Sequence, residues 1–354
     1  MPQALVIRKN RSRPGSTPYY PLQLKAVEKP SPGANELLVR IEAAALNHSD
    51  LFIRQNLYPN ISFEAPLLSD GCGTVVEEGP GCTTHLLHKL VVLTPCRGWA
   101  GSPEGPEDWA KFRTIGGTEP YVGLGAAQHY IVVGEDEVEQ CPEHLTAAQA
   151  AAIPVCGLTA WRALFVKSHN ARPGRNILIT GIGGGVALQV LLFARDLDCN
   201  IFVTSSSPEK IARAEQLGAK AGVMYSRDDW PAQLKQKLPA ERPFLDAVID
   251  GAGGDIAVKT TPILKPGGVI VNYGMGTSRL TDWPMQAVYK NIELRGSTAG
   301  SRTEFGDMIA FIRERRIVPI ISRMVRGLYC VEAIDGLFED MKAGKQFGKL
   351  VIEV

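Results

Sequence analysis

Up to about residue 150 the apolar positions fall in short β-branched runs, "LLVRIEAAA", "GTVVEE", "KLVVLTP" and "HYIVV", each cut off by Gly, Pro or a polar turn. Runs of that length with that punctuation predict an irregular, mostly-β unit. Beyond it, strands and helices alternate. "NILIT" (176–180) reads as a buried strand, "GVALQVLLFARD" as a helix, "NIFVTS" as a second strand and "PEKIARAEQLG" as a second helix. Ser207 stands where that helix needs a cap, Pro208 in its first turn and Gly218 at its end. "AGVMYS", "LDAVIDGAG" and "GGVIVNYG" each repeat an apolar run followed by a turn, so a parallel, doubly wound α/β sheet is predicted over 175–300. Near the end, "VEAIDGLFEDMKAG" puts Ile334, Leu337, Phe338 and Met341 on one helical face, and "FGKLVIEV" reads as a strand returning to the first domain.

A chain of 354 residues exceeds what one hydrophobic core usually fills, so two domains are expected. Thirty-eight basic against 37 acidic residues leave a net charge of +1 with no block of like charge, which argues against a nucleic-acid or anionic-membrane partner. The opening "MPQALVIRKNRSRPG" places apolar residues before its basic cluster, the reverse of a secretory signal, and no apolar run reaches the ~18 residues of a membrane span. Seven cysteines without a Cys-x-x-Cys pair fit a reducing compartment, so a soluble, cytoplasmic protein is expected.

The stretch "ILITGIGGGVALQ" sets Gly181, Gly183, Gly184 and Gly185 between a strand and a helix. There, backbone without side chains can approach a pyrophosphate while helical N–H groups face it, as in a Rossmann dinucleotide turn. Val186 takes the place of the third glycine in the usual Gly-x-Gly-x-x-Gly, with Gly185 one position early. At the end of the second strand, where NAD sites carry an acid for the ribose hydroxyls, this chain reads "TSSSPEK". Ser205, Ser206 and Lys210 there suit a 2′-phosphate, so NADPH is the expected cofactor; the alternative makes Ser207 a helix cap and Lys210 a solvated face.

Taken in order, "ALNHSD", "PLLSDGCGTVVEEGPG", "IPVCGLTAWRAL", the glycine turn, "LKPGGVIVNYG" and "RGSTAGSRTEF" resemble the medium-chain dehydrogenase/reductase superfamily over nearly the whole chain, and most closely its zinc-less quinone-reductase-like members. The resemblance implies a GroES-like catalytic domain from 1–149 and 318–354, a Rossmann domain over 150–317, and a homodimer with active sites in the interdomain cleft. It further implies cofactor contacts at His48, Thr159, Tyr225, Gly251, Ala252, Gly274, Met275, Ser297, Thr298, Ala299 and Lys349.

In zinc-dependent members of that superfamily the metal ligands fall at the positions of Asn47, Ser69 and Val155. An amide, a hydroxyl and an alkyl group do not replace thiolates and imidazole around Zn²⁺, so no metal is expected. The segment 97–123 stands in place of a four-cysteine structural lobe and contains no Cys. Cys82, His85 and His88 would share a face on a helix, but their flanks argue for a turn leading into a strand.

The remaining chemistry is hydride transfer with a proton donor. By the resemblance, Ser49 falls where a hydroxyl relays a proton and Asn47 beside the nicotinamide, while Tyr58 matches a tyrosine that reaches the substrate pocket. Capping of the following helix by Asn47 or Ser49 is the structural alternative. The expected function is reduction of apolar quinones, enones or aldehydes. A dedicated enoyl reductase of a biosynthetic pathway and a catalytically silent nucleotide-binding regulator are the alternatives.

Overall fold

The computed structural model describes residues 1–9, 18–274, 276 and 282–354. They form two compact units, one from Met1–Val155 and Ser301–Val354, the other from Cys156–Gly300. The helix Arg302–Arg315 therefore groups with the first unit.

The first unit is built on a seven-stranded sheet. Its order runs Ile321–Arg326, Lys349–Glu353, Glu36–Ala45, Asp70–Glu78, Leu90–Leu93 and Val138–Gln140, with Tyr130–Gly134 also paired to Glu36–Ala45. Leu37, Val39, Ile41, Val75, Val91, Ile131 and Ile352 fill the core beneath it. The helix Val331–Lys342 buries Ile334, Leu337, Phe338 and Met341 against that core, the face its spacing predicts. The strand Lys349–Glu353 does return to this unit, pairing antiparallel with Glu36–Ala45 at Val351 and Ala45. Cys82, His85 and His88 lie in a turn before Leu90–Leu93, with both histidines at positive φ, and gather on no helical face.

The segment that follows Cys96 has its own device. Cys96–Arg97 pairs with Arg113–Thr114, which brings the two ends of an excursion together. Inside it, the Glu107 carboxylate accepts hydrogen bonds from the N–H groups of Ala100, Gly101 and Ser102, each at 2.8 Å. Buried Trp99 meets Phe112 edge to face, and exposed Trp109 stacks on the same ring. Those backbone hydrogen bonds pull the Glu107 carboxyl down to about 2. Because the folded value lies below the unfolded one, the carboxylate's contribution is complete above pH ~4.5 and disappears as pH falls towards 2. Protease cleavage of this segment is accordingly expected to be slow at neutral pH and fast below pH ~3; Glu107→Gln, which loses the charge, should be cut readily even at pH 7.

The second unit is a parallel sheet in the order Ala221–Met224, Asn200–Ser205, Asn176–Ile179, Leu245–Asp250, Leu264–Asn272 and Glu293–Gly296. Asn176–Ile179 and Leu245–Asp250 are buried along their full length, as continuous apolar runs covered on both faces must be. The order reverses between these two strands, so their carboxyl ends form the switch point where such folds hold ligands. At the amino end of the same pair, buried Asp246 is met by Arg175, Arg242 and Lys265. Burial raises this carboxyl, but hydrogen bonds from Arg242, the Asn176 N–H and Arg175 outweigh it and hold the group at about 2. The helix Pro208–Gln216 starts at Ser207, as expected, but ends at Leu217; Gly218 follows one place later at φ +114°.

Candidate active site

In the second unit every strand of the parallel sheet delivers its carboxyl end to one edge, and there the glycine turn and most of the other residues expected to contact a nucleotide collect. Gly181 follows the first strand at φ +63° and Gly183 takes φ +117°, a conformation that side chains disfavour. A Cβ on Gly181 would meet nothing within 4 Å, so the backbone faces open space. Gly184 is the N-cap of the helix Gly185–Arg195 and provides no side chain to satisfy its first N–H groups. Val186 lies in its first turn. Such an end attracts an anion.

Ser205 closes the next strand and Ser206 follows it, and Tyr225 follows the third with 42% exposure. Gly251 and Ala252 follow Leu245–Asp250; Gly274 follows Leu264–Asn272; Ser297, Thr298 and Ala299 follow Glu293–Gly296. Ser297 Oγ is buried with no hydrogen-bond partner among the described residues, which suits an absent polar ligand. Thr159 is buried on the helix Pro154–Trp161. Met275 lies outside the described residues.

Asp250 organises this edge. Its carboxylate accepts from Thr180 Oγ1 (2.7 Å), the N–H groups of Ala252 and Gly253 (3.0 Å each) and Asn272 Nδ2 (2.8 Å), while Thr180 Oγ1 receives the Gly251 N–H. One carboxylate thus ties three strand ends together. Sequence reasoning passed over it, although an acid closing the apolar run "LDAVID" was a visible signal.

In the first unit the stretch "NHSD" begins a helix, His48–Arg54. Asn47 is its N-cap residue. Its Oδ1 accepts from Lys349 Nζ at 2.6 Å. The same ammonium donates to Leu46 O at 2.7 Å and to Asp70 Oδ2 at 2.8 Å, and Asp70 Oδ1 accepts the Val155 N–H at 2.8 Å. Sheet register creates this group. With Val351 opposite Ala45 and Ala45 opposite Asp70, continuing the antiparallel rungs sets Lys349 across from Asn47.

Asp50 completes the cluster by accepting the Asn47 N–H through Oδ2 at 2.7 Å. Burial pushes its carboxyl up to about 7, despite that bond, and neighbouring Asp70 adds to the effect. Ser49 occupies the second helical position and is half-buried; His48 is exposed and tilted against Phe52. Tyr58 Oη lies 3.1 Å from Thr114 Oγ1. Lys349, placed by the resemblance among the cofactor contacts, has its ammonium buried on groups of the first unit.

The zinc that the resemblance brings with it does not fit these residues. Asn47 Oδ1 already carries an ammonium, Ser69 Oγ donates to Ile115 O at 2.6 Å, and Val155 offers an alkyl group. A dication and a buried ammonium cannot share one amide oxygen.

Comparison with known proteins agrees with this architecture. Residues 33–143 match the alcohol dehydrogenase GroES-like domain and residues 185–314 the zinc-binding dehydrogenase domain. A zinc-type alcohol dehydrogenase-like protein of Leptosphaeria maculans is 61% identical over 359 residues, covering all of both chains. A solved NAD-dependent alcohol dehydrogenase superposes with a TM-score of 0.82 at 26% identity over 99% of each chain. A crotonyl-CoA carboxylase/reductase solved in complex with NADP has the same fold, with a TM-score of 0.85 at 22% identity over 100% of this chain and 95% of that one.

Proposed function

The chain belongs to the medium-chain dehydrogenase/reductase superfamily and is an oxidoreductase of the alcohol dehydrogenase type, and from that premise we propose that it is an NADPH-dependent, metal-independent reductase of quinones, enones or aldehydes. The observation that carries this reading is the seating of the Lys349 ammonium on Asn47, at a position where zinc-dependent relatives place a metal ligand. Without a Lewis acid, the first unit must handle the acceptor with hydrogen-bond donors and hydroxyls.

The nucleotide would be held by Gly181, Gly183 and Gly184, the first turn of Gly185–Arg195 and the loops tied by Asp250. When bound, it supplies the hydride. Ser206 and Lys210 would receive the 2′-phosphate, Asn47 would contact the reacting end, and Ser49 would pass a proton to the reduced oxygen, with Tyr58 as the competing donor. No helix among the described residues is long and apolar enough to cross a membrane, and the expected substrate is a small apolar carbonyl compound.

The decisive experiment is NADPH oxidation with a panel of quinones, enones, aldehydes and alcohols, run with and without chelator, beside metal analysis of the purified protein. Turnover on one of the first three classes, untouched by chelator and without stoichiometric zinc, is expected. A tightly held zinc per chain, or activity confined to alcohol oxidation, would replace this reading with that of an ordinary zinc alcohol dehydrogenase.

A homodimer belongs to the same proposal. Glu293–Gly296 is an edge strand of the parallel sheet, and Trp283, Met285, Val288 and Tyr289 shortly before it in the chain and Leu294 within it are exposed apolar residues, a combination that invites pairing with a second copy. Trp283→Lys is expected to shift the sedimenting species from dimer towards monomer at micromolar concentration; a wild-type monomer there would remove the premise.

A further inference from the structure

The contact between Lys349 and Asn47 fixes more than a charge. An amide has one accepting end and one donating end, and a lysine ammonium can only donate. With Lys349 Nζ 2.6 Å from Oδ1, the orientation of the Asn47 amide is dictated by chemistry, and its NH₂ is turned to the opposite side. Lys349 is itself held in place by Leu46 O and Asp70 Oδ2, and Asp70 is held by the Val155 N–H. Leu46, Asn47, Asp70 and Lys349 are buried, and rotating the amide would bring its NH₂ against an ammonium.

We propose that Lys349 is a positioning residue which, by holding Asn47 Oδ1, turns the Asn47 amide into an obligatory donor for the acceptor's oxygen. The inference rests on the reductase reading above and names how that site manages charge. As the acceptor carbon gains a hydride, its π electrons move to oxygen. A pre-aimed N–H steadies that oxygen until a proton arrives, the task a metal performs in zinc-dependent relatives. The buried ion pair thus serves to keep a neutral donor pointing one way.

Asn47→Asp tests this cleanly, because aspartate caps a helix as well as asparagine and accepts from Lys349 at least as well, but has no N–H to give. It should retain the fold and NADPH affinity while single-turnover reduction of a naphthoquinone or enone probe slows by roughly 10² to 10³, the usual loss for one oxyanion donor. Lys349→Met combined with Asp70→Asn removes both charges of the pair and lets the amide flip, so it should slow the same step. Lys349→Arg should restore most of the rate. The triple variant should be no slower than Asn47→Asp alone, since both changes act through one amide. Wild-type rates in Asn47→Asp, or losses that multiply in the triple variant, would overturn the proposal.

A second readout does not depend on turnover. In protein labelled with heavy nitrogen at asparagine, the Asn47 side-chain NH₂ signal is the one lost in Asn47→Asp. It should move on adding NADP⁺ with the acceptor probe in the wild type, and split or vanish in Lys349→Met/Asp70→Asn. If the wild type turns over no acceptor, the reductase reading fails, and this signal still decides the orientation claim: an NH₂ that ignores both ligands would sink it.

Discussion

Ser49→Ala is expected to lower turnover by roughly 10² to 10⁴, the weight that a general acid usually carries, while NADPH affinity changes little. The structure makes this substitution interpretable. Ser49 is the second residue of the helix His48–Arg54, and the cap position belongs to Asn47, so the Ser49 hydroxyl is not needed to start the helix. Alanine is a better helix former than serine, and a merely structural role therefore predicts an unchanged or slightly raised stability with normal rates. Tyr58→Phe is the rival test. The Tyr58 phenol shares a hydrogen bond with Thr114 Oγ1 at 3.1 Å, and removing it leaves the ring's packing in place. If Tyr58→Phe abolishes reduction while Ser49→Ala turns over normally, the phenol is the donor and the assignment of Ser49 is wrong. If neither matters, solvent supplies the proton and positioning alone does the work.

The second large effect concerns the cofactor. Lys210→Ala is expected to weaken NADPH by about ten- to a hundredfold and leave NADH nearly untouched, as loss of a charge-assisted bond of ~1.5–3 kcal/mol requires. Ser207 is a helix cap, accepting from the Lys210 N–H at 3.2 Å and donating to Glu209 at 2.6 Å, and buried Ser205 accepts the Ser207 N–H at 3.1 Å. The phosphate would therefore fall chiefly to Ser206 and Lys210. Burial and the nearby Arg213 charge hold the Lys210 ammonium below its usual range, a strain that an anion beside both cations would relieve. Equal weakening of NADH and NADPH, measured by fluorescence titration, would assign Lys210 a structural role instead.

Periodicity was enough for the elements that bury one face or both. The apolar runs "NILI" and "LDAVID" fold as fully buried parallel strands, and the spacing of Ile334, Leu337, Phe338 and Met341 marks the face that packs, because burial of such faces dominates the local choice of structure. The glycine turn was legible for a related reason: positive φ and bare backbone are demands that few residues other than glycine meet. Short elements such as Cys96–Arg97 with Arg113–Thr114 left no periodic trace, and the excursion they close is organised by a single carboxylate on three amides.

The candidate site divides along the same line. Residue types alone make Asn47, Ser69 and Val155 a poor ligand set for zinc, since ligand chemistry is a property of the side chain. What those residues do instead is invisible in the chain, where Lys349 stands 302 positions from Asn47 and 279 from Asp70. Only the pairing of Val351 with Ala45, and of Ala45 with Asp70, brings an ammonium, an amide and a carboxylate together. Asp50 is similar: as a letter it is an ordinary acid at a helix start, and its carboxyl rises to about 7 because folding removes it from water and sets it near Asp70. The sequence by itself determined which groups stand at the glycine turn and at the positions of Asn47, Ser69 and Val155. Strand register and burial decided which way those groups face and what charge they carry, because hydrogen-bond direction and desolvation exist only once distant segments are packed.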